Sequence, residues 1–311
     1  MSLIIRPFES GDIDSVVNLW NRTLVADPIN KQRLQSDFLQ DRHFDADQFL
    51  LAYRESKLVG FVLGMAPRAD LAGDNANGTG VVVGFGVDPA NQRQGIATAL
   101  FDELENLWIA QGVTRIAVGP WIPSYLTPGV DAASYPEALP FLANRSYLEG
   151  DHPISMRALL TGYRPASGVA ETKEKLASDG IAIRPATTDE AEPVIKFAHN
   201  HFSHWESYVA SAFARLAEND SATTVHIAFD QGNVIGFALT DGERFGPFGV
   251  NEAYRGRGIG AVLLSQTLMA MRAANIHLAY FLWTSEQTSR LYSRHGFETV
   301  RTFTMMSKPI Q

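Results

Sequence analysis

Apolar positions along the chain fall into short runs whose period switches between two and 3.6 in a fixed order, and that order occurs twice. Ile5-Arg-Pro-Phe-Glu-Ser-Gly-Asp12 matches Ile183-Arg-Pro-Ala-Thr-Thr-Asp-Glu190. Each reads as a strand that runs into a Ser/Thr/Asp cap and a helix, over Ile13–Thr23 and Ala191–His201. Two strand pairs follow, each closed by a short polar turn: Phe49–Tyr53 with Leu58–Leu63, and Val225–Phe229 with Val234–Leu239. A third strand comes next, Gly80–Val87 in one half and Arg244–Val250 in the other. A glycine turn, a long apolar-faced helix, a strand (Arg115–Val118, Leu278–Leu282), a second helix and a final strand complete each half.

The glycine turns carry the candidate chemistry. In the second half Phe248-Gly249-Val250 leads into Arg255-Gly256-Arg257-Gly258-Ile259-Gly260, and the helix begins there. The first half has Phe85-Gly86-Val87, then Gln92-Arg93-Gln94-Gly95-Ile96-Ala97. Glycines at a helix N-terminus expose backbone N–H groups at the positive end of the helix dipole, which suits a pyrophosphate. Neither turn is a Walker loop, since no Gly-Lys-Ser/Thr follows at the required spacing. Gly256-x-Gly258-x-Gly260 also lacks the dinucleotide spacing, and the preceding strands read as an antiparallel meander.

Composition narrows the class. With 311 residues, the chain has room for two domains. A formal charge of −8 argues against broad nucleic-acid binding and mildly favours a cationic substrate. The absence of cysteine excludes disulfides, thiolate–zinc sites and a cysteine nucleophile, and no metal site is expected. No apolar run reaches about 18 residues, so no membrane span is expected. The first residues are too polar for a secretory signal, which leads to the expectation of a cytoplasmic protein.

The strand, the Gln/Arg-x-x-Gly-x-Gly/Ala turn, the helix, and a downstream Leu291-Tyr292-Ser-Arg-His-Gly296-Phe297 together resemble the GCN5-related N-acetyltransferase (GNAT) family. The resemblance covers nearly the whole chain as two tandem copies, an architecture similar to that of the mycothiol synthases. It implies an α+β fold of the three-layer α/β type, two tandem domains each with a mixed, largely antiparallel twisted sheet flanked by helices. It places an N-terminal domain at 1–163, a linker and helix at 164–180, and a C-terminal domain at 181–311. It implies acetyl-CoA as cofactor and transfer of the acetyl group by direct attack to a primary amine, that of a small molecule, by a monomer or homodimer. The alternatives are a protein or peptide N-acetyltransferase and a non-catalytic acyl-CoA-binding sensor.

Residue roles follow from the same resemblance. Phe248, Gly249 and Val250 would hold the pantetheine arm, with the Val250 N–H aimed at the thioester carbonyl. The turn Arg255–Gly260 would wrap the pyrophosphate. Tyr292 stands where the family keeps its general acid, and such a phenol can protonate a thiolate leaving group. Ser285 occupies the place of a cofactor-contacting Asn seven residues before it. Candidates for the base are Glu243, Asp241 and His226, with a water chain as an alternative to all three; His226 also reads as a strand histidine, and His277 and His295 as surface residues. Tyr280, Phe281 and Trp283 read either as walls of an acceptor pocket or as core.

In the first half Val87, Gln92, Arg93, Gln94, Gly95, Ile96 and Ala97 keep the cofactor-binding pattern, but Leu142 takes the tyrosine's place and Ser146 that of the glycine. Leucine donates no proton, so this half is expected to be non-catalytic unless Tyr125 or Tyr135 supplies the acid. Both come from a proline-rich loop over 119–140, about thirteen residues longer than its counterpart, a length typical of functional loops.

Overall fold

The computed structural model describes residues 2–68, 78–122, 124 and 126–310. It divides into two compact units, Met1–Pro153 with Thr302–Gln311, and Ile154–Arg301. The first unit contains β1 (Ile4–Pro7), α1 (Ile13–Thr23), α2 (Lys31–Leu34), β2 (Phe49–Arg54), β3 (Lys57–Met65), β4 (Thr79–Val87), α3 (Ile96–Ala110), β5 (Arg115–Val118), α4 (Ala138–Asn144) and β6 (Leu148–Glu149). The second begins with β7 (Ile154–Leu159), α5 (Val169–Ser178), β8 (Ile181–Pro185), α6 (Ala191–His201), α7 (Glu206–Ala217), β9 (Thr223–Asp230) and β10 (Asn233–Asp241). It continues with β11 (Arg244–Val250), α8 (Ile259–Ala273), β12 (Leu278–Thr284), α9 (Glu286–Arg294) and β13 (Glu298–Thr302); β14 (Met306–Pro309) then joins the first unit.

Each unit is built on a seven-stranded mixed sheet, β1-β2-β3-β4-β5-β14-β6 in one and β8-β9-β10-β11-β12-β7-β13 in the other. The two orders correspond place by place, and in both the fourth and fifth strands pair in parallel. The sixth place is exchanged. β14 lies against β5 with Met306 opposite Val118, whereas β7 lies against β12 with Leu159 opposite Leu278. The division read from sequence put residues 154–163 in the first domain and 302–311 in the second; in the structure each of these segments belongs to the other unit.

Alternation along the strands fills two apolar layers in the first unit. Leu50 and Ala52 face α3, while Phe49 and Leu51 face α1 and α2. Helix α3 lies so close that Trp108 covers the faces of Gly64 and Gly80, where a Cβ would come within 2.6 and 2.9 Å of the indole. Strand β14 is also held by charge. Lys308 Nζ reaches Glu105 Oε2 at 2.7 Å, and the same carboxylate accepts from Arg145 at 2.9 Å and from the Tyr147 hydroxyl at 3.0 Å. In the second unit α6 and α7 cover one face of the sheet through Val194, Phe197, Val209 and Phe213. Helices α5 and α8 cover the other through Val169, Leu176, Val262 and Leu263.

Candidate active site

Both units open a wedge between their two parallel strands. β4 pairs with β5 only over Thr79–Val82, and β11 meets β12 at Arg244 opposite Tyr280. Beyond these points the backbone of Val83–Val87, like that of Phe245–Val250, has no strand partner on that side among the described residues. On the other edge the Asp88 N–H donates to Val59 O (2.9 Å) and the Asn251 N–H to Ile235 O (2.8 Å). Antiparallel alternation then directs the N–H groups of Phe85 and Val87, and of Phe248 and Val250, into the wedge. The Val250 N–H, singled out from the sequence, faces the opening, and so does its counterpart in the first unit.

The two glycine turns have one backbone shape. Gln92 and Arg255 are extended, with ψ of 163° and 160°. Arg93 (φ 59°) matches Gly256 (φ 79°), and Gly95 (φ 78°) matches Gly258 (φ 86°). Gln92 Nε2 donates to Val87 O at 3.2 Å, and Arg255 Nε to Val250 O at 3.4 Å. Arg93 holds a left-handed conformation at a cost of about 1 kcal/mol that Gly256 avoids. Helices α3 and α8 begin directly after Gly95 and Gly258, and the first N–H groups of a helix lack intrahelical partners.

The surroundings of the two turns differ. A Cβ at Gly95 would meet no atom within 4 Å, so this turn faces open space. A Cβ at Gly258 would stand 2.5 Å from the Thr172 methyl group, because α5 lies over the second turn. Val169 and Leu176 of α5 pack with Ile259 and Val262, and Asp179 pairs with Arg257 at 3.5 Å. On the opposite face of that sheet the Phe202 ring fills the space beside Gly249, where a Cβ would come within 2.7 Å, and stacks on Trp205 at 5.1 Å.

The first unit contains an open cavity of about 680 Å³. It starts at the turn, follows Val83–Val87 through the wedge, and reaches Trp20, Thr23 and Asp27 on the α1 face. The long loop forms one wall through Leu126, Gly129, Tyr135 and Glu137. Arg93 on the turn pairs with Glu137. At the α1 face the Tyr135 hydroxyl donates to Asp27 Oδ2 at 2.7 Å and accepts from the Ala26 N–H at 3.2 Å. Tyr125 lies outside the described residues.

The remaining sequence candidates sit as follows. Tyr292 is buried, with its ring packed 4.4 Å from that of Phe281 and within 6.2 Å of those of Phe297, Phe245 and Phe248. Burial pushes its phenol well above the usual value. Phe281 is core, while Trp283 is exposed. Leu142 is wholly buried in the first core. Ser285 caps α9, accepting from the Thr288 N–H at 3.2 Å. Glu243 is exposed in the hairpin before β11, at the closed end of the wedge and the far end of that strand from the turn; Asp241 beside it pairs with Arg215 at 3.5 Å. His277 is exposed, but His295 is buried and hydrogen-bonds to the Tyr163 hydroxyl at 2.9 Å, contrary to its reading as a surface residue. His226 is buried with no hydrogen-bond partner at Nδ1, and desolvation lowers its pKa to about 4. Asp27, Thr23 and Trp20 were not foreseen as site residues, since the end of α1 carries no motif and only the wedge brings it to the turn.

Among the described residues no His, Asp and Glu cluster could hold a metal ion, and no helix is long and apolar enough to cross a membrane. Residues 13–121 match the acetyltransferase (GNAT) family model, and residues 184–306 match a second acetyltransferase (GNAT) domain model. The chain is similar to an acetyltransferase of Pectobacterium atrosepticum, with 32% identity over 112 residues, which make up 36% of this chain and 72% of that protein. Among solved structures it resembles a GCN5-related glucosamine N-acetyltransferase region of a fungal multi-domain GH3 β-N-acetylglucosaminidase, with a TM-score of 0.81 at 19% identity, over 99% of this chain and 38% of that one. It also resembles a tandem GNAT protein from the clavulanic acid biosynthesis pathway, with a TM-score of 0.63 at 17% identity, over 99% of this chain and 98% of that one. At these identities the structural likenesses concern the fold.

Proposed function

Since the chain belongs to the GNAT family of acetyltransferases, with one such domain in each half, we propose that it transfers an acetyl group from acetyl-CoA to the primary amine of a small molecule, in the first unit. The observation that carries this reading is the cavity joining the open Gln92–Ala97 turn to the α1 face through the wedge. Its volume lies within the range typical of small-molecule and cofactor sites. The residues present fit the cofactor. The N–H groups at the start of α3 and the Arg93 guanidinium would hold its phosphates. When bound, acetyl-CoA supplies an activated acetyl group. The Val87 and Phe85 N–H groups, fixed by the strand and turned into the wedge, are placed to stabilise negative charge on a carbonyl oxygen. Val83, Leu126 and Phe141 keep the middle of the cavity apolar, and this strengthens such donors.

The sequence alone favours the second unit as the catalytic one, on the strength of Tyr292. Two observations weigh against that: α5 over the second turn, and the packing of Tyr292 among phenylalanines. A test compares Gly95→Val with Gly258→Val by calorimetry with acetyl-CoA. Gly95→Val meets no neighbour but distorts a left-handed turn, and is expected to abolish binding. Gly258→Val collides with Thr172 and is expected to lower thermal stability while binding persists. The reverse pattern would return the chemistry to the second unit.

A further inference from the structure

The strand that carries the Val87 N–H is supported along one edge. Its segment Val83–Val87 pairs with β3 but, among the described residues, has no strand partner on the β5 side. The end of α1 adds support from one face. Thr23 lies against Gly86, where a Cβ would come within 2.4 Å of its Oγ1. That hydroxyl is turned back on its own helix, with Leu19 O at 3.0 Å and Trp20 O at 3.2 Å. Arg22, one residue earlier, reaches the end of the strand, and its guanidinium donates to Asp88 Oδ2 at 3.0 Å. Lys57 Nζ, from the start of β3, stands 3.9 Å from the same oxygen. The other oxygen, Oδ1, accepts from the Ala90 N–H at 3.1 Å, on the path into the glycine turn. One buried carboxylate, directly after Val87, therefore joins α1, the start of β3 and the turn.

The second unit keeps the shape of this device without its charge. Asn251 follows Val250 and accepts from the Ala253 N–H at 3.0 Å, as Asp88 does from Ala90. Asn200 and Asn233 hold the places that correspond to Arg22 and Lys57. Three charged residues in one half thus stand opposite three asparagines in the other. Stability gives little reason for the difference, because Arg22 is 49% exposed and Lys57 65%, and ion pairs that reach into solvent contribute little.

We propose that Arg22 and Asp88 are positioning residues of the first-unit site: their ion pair ties the end of α1 to the end of β4 and so fixes the direction in which the Val87 N–H meets the thioester carbonyl. The inference rests on the assignment of the chemistry to the first unit. A donor stabilises developing charge best when its direction is set before the reaction, and a hydrogen bond weakens as it bends away from the line of the N–H. Both side chains act through the Val87 backbone, and neither is a catalytic residue.

The test uses the full chain and acetyl-CoA carrying ¹³C at the thioester carbonyl. Infrared difference spectroscopy reads the carbonyl stretch, calorimetry the affinity, and a thermal scan the fold. In the wild type the bound carbonyl is expected to absorb at lower frequency than in free acetyl-CoA, because a hydrogen bond to the oxygen weakens the C=O bond. Asp88→Asn keeps an acceptor for the Ala90 N–H and removes the charge. It is expected to lose at least half of that displacement, with acetyl-CoA affinity within about threefold and the unfolding midpoint within about 2 °C. Arg22→Gln, at the exposed end of the pair, is expected to do the same, so the result does not depend on one variant. Because both act through one contact, the double variant is expected to lose no more than either single one. No displacement in the wild type, a band left at its wild-type position by Arg22→Gln, losses that add in the double variant, or spectral changes that come only with a lowered unfolding midpoint would each overturn the inference. Failure of the underlying assignment gives a separate signature, a displaced carbonyl band that survives Gly95→Val.

Discussion

His226 offers a sharp test of the second unit's electrostatics. It lies on β9 opposite Ala238 and is buried, with Nδ1 lacking a partner. Desolvation disfavours the imidazolium and lowers the folded-state pKa to about 4, against roughly 6.5 in an unfolded chain. Between those values the unfolded state binds the extra proton, so stability is fully present above pH 6.5 and falls as the pH drops toward 4. With one pKa unit worth about 1.36 kcal/mol, His226 alone should remove about 2 kcal/mol between pH 7 and pH 5. His226→Leu abolishes the titration and the orphaned nitrogen together. Urea unfolding of both proteins at the two pH values isolates the effect, since His204 and His295, whose pKa values burial also lowers, remain in both and cancel in the difference. Stability curves that run parallel within about 0.5 kcal/mol would refute the reasoning.

Two further outcomes are expected. Glu105→Ala removes the carboxylate shared by Arg145, Lys308 and Tyr147, leaving two part-buried cations without their common partner. Breaking a buried pair costs about 3–5 kcal/mol, so the unfolding midpoint in calorimetry should drop by about 10 °C, whereas a shift below about 2 °C would show the network to be solvent-screened. Tyr292→Phe should leave acetyl-CoA consumption with an amine panel within about twofold, because its ring is core of the second unit; a loss within the range of about 10²–10⁴ usual for an acid–base group would restore it as a proton donor.

Local signals in the sequence were sufficient for most of the elements and their order, though α2 and α7 were not among them. The hairpins, α1, α6, both glycine turns and the helix over Val169–Ser178 lie where apolar period, caps and glycines place them. Even the matched Asp12 and Glu190 prove equivalent, each taking a bidentate pair from the arginine six residues before it. What the sequence could not show was non-local. A strand's own residues do not say which sheet it joins, so the exchange of β7 and β14 was not legible. The linker and helix at 164–180 are legible, but not that Thr172 stands against Gly258. His295 looked like a surface residue because its partner Tyr163 lies 132 positions away. The tyrosine signature points to the second unit, but a motif records which residues are present and not the phenylalanines packed around Tyr292. Tyr135 was readable as a loop tyrosine, while its bond to Asp27 joins positions 108 residues apart.

The placement of β14 also bears on how the protein is made. Every strand of the second sheet comes from the continuous stretch 154–302, so that sheet can close soon after this stretch leaves the ribosome. The first sheet cannot. Its β5 emerges early, yet the strand that covers it begins at Met306, about 190 residues later. At about 5–20 residues per second the nascent chain spends roughly 10–40 s with that edge bare, as a template for any other strand. The half translated first is therefore the half finished last, and a chain truncated between residues 302 and 306 would have every strand of its later unit while its earlier one still lacks β14.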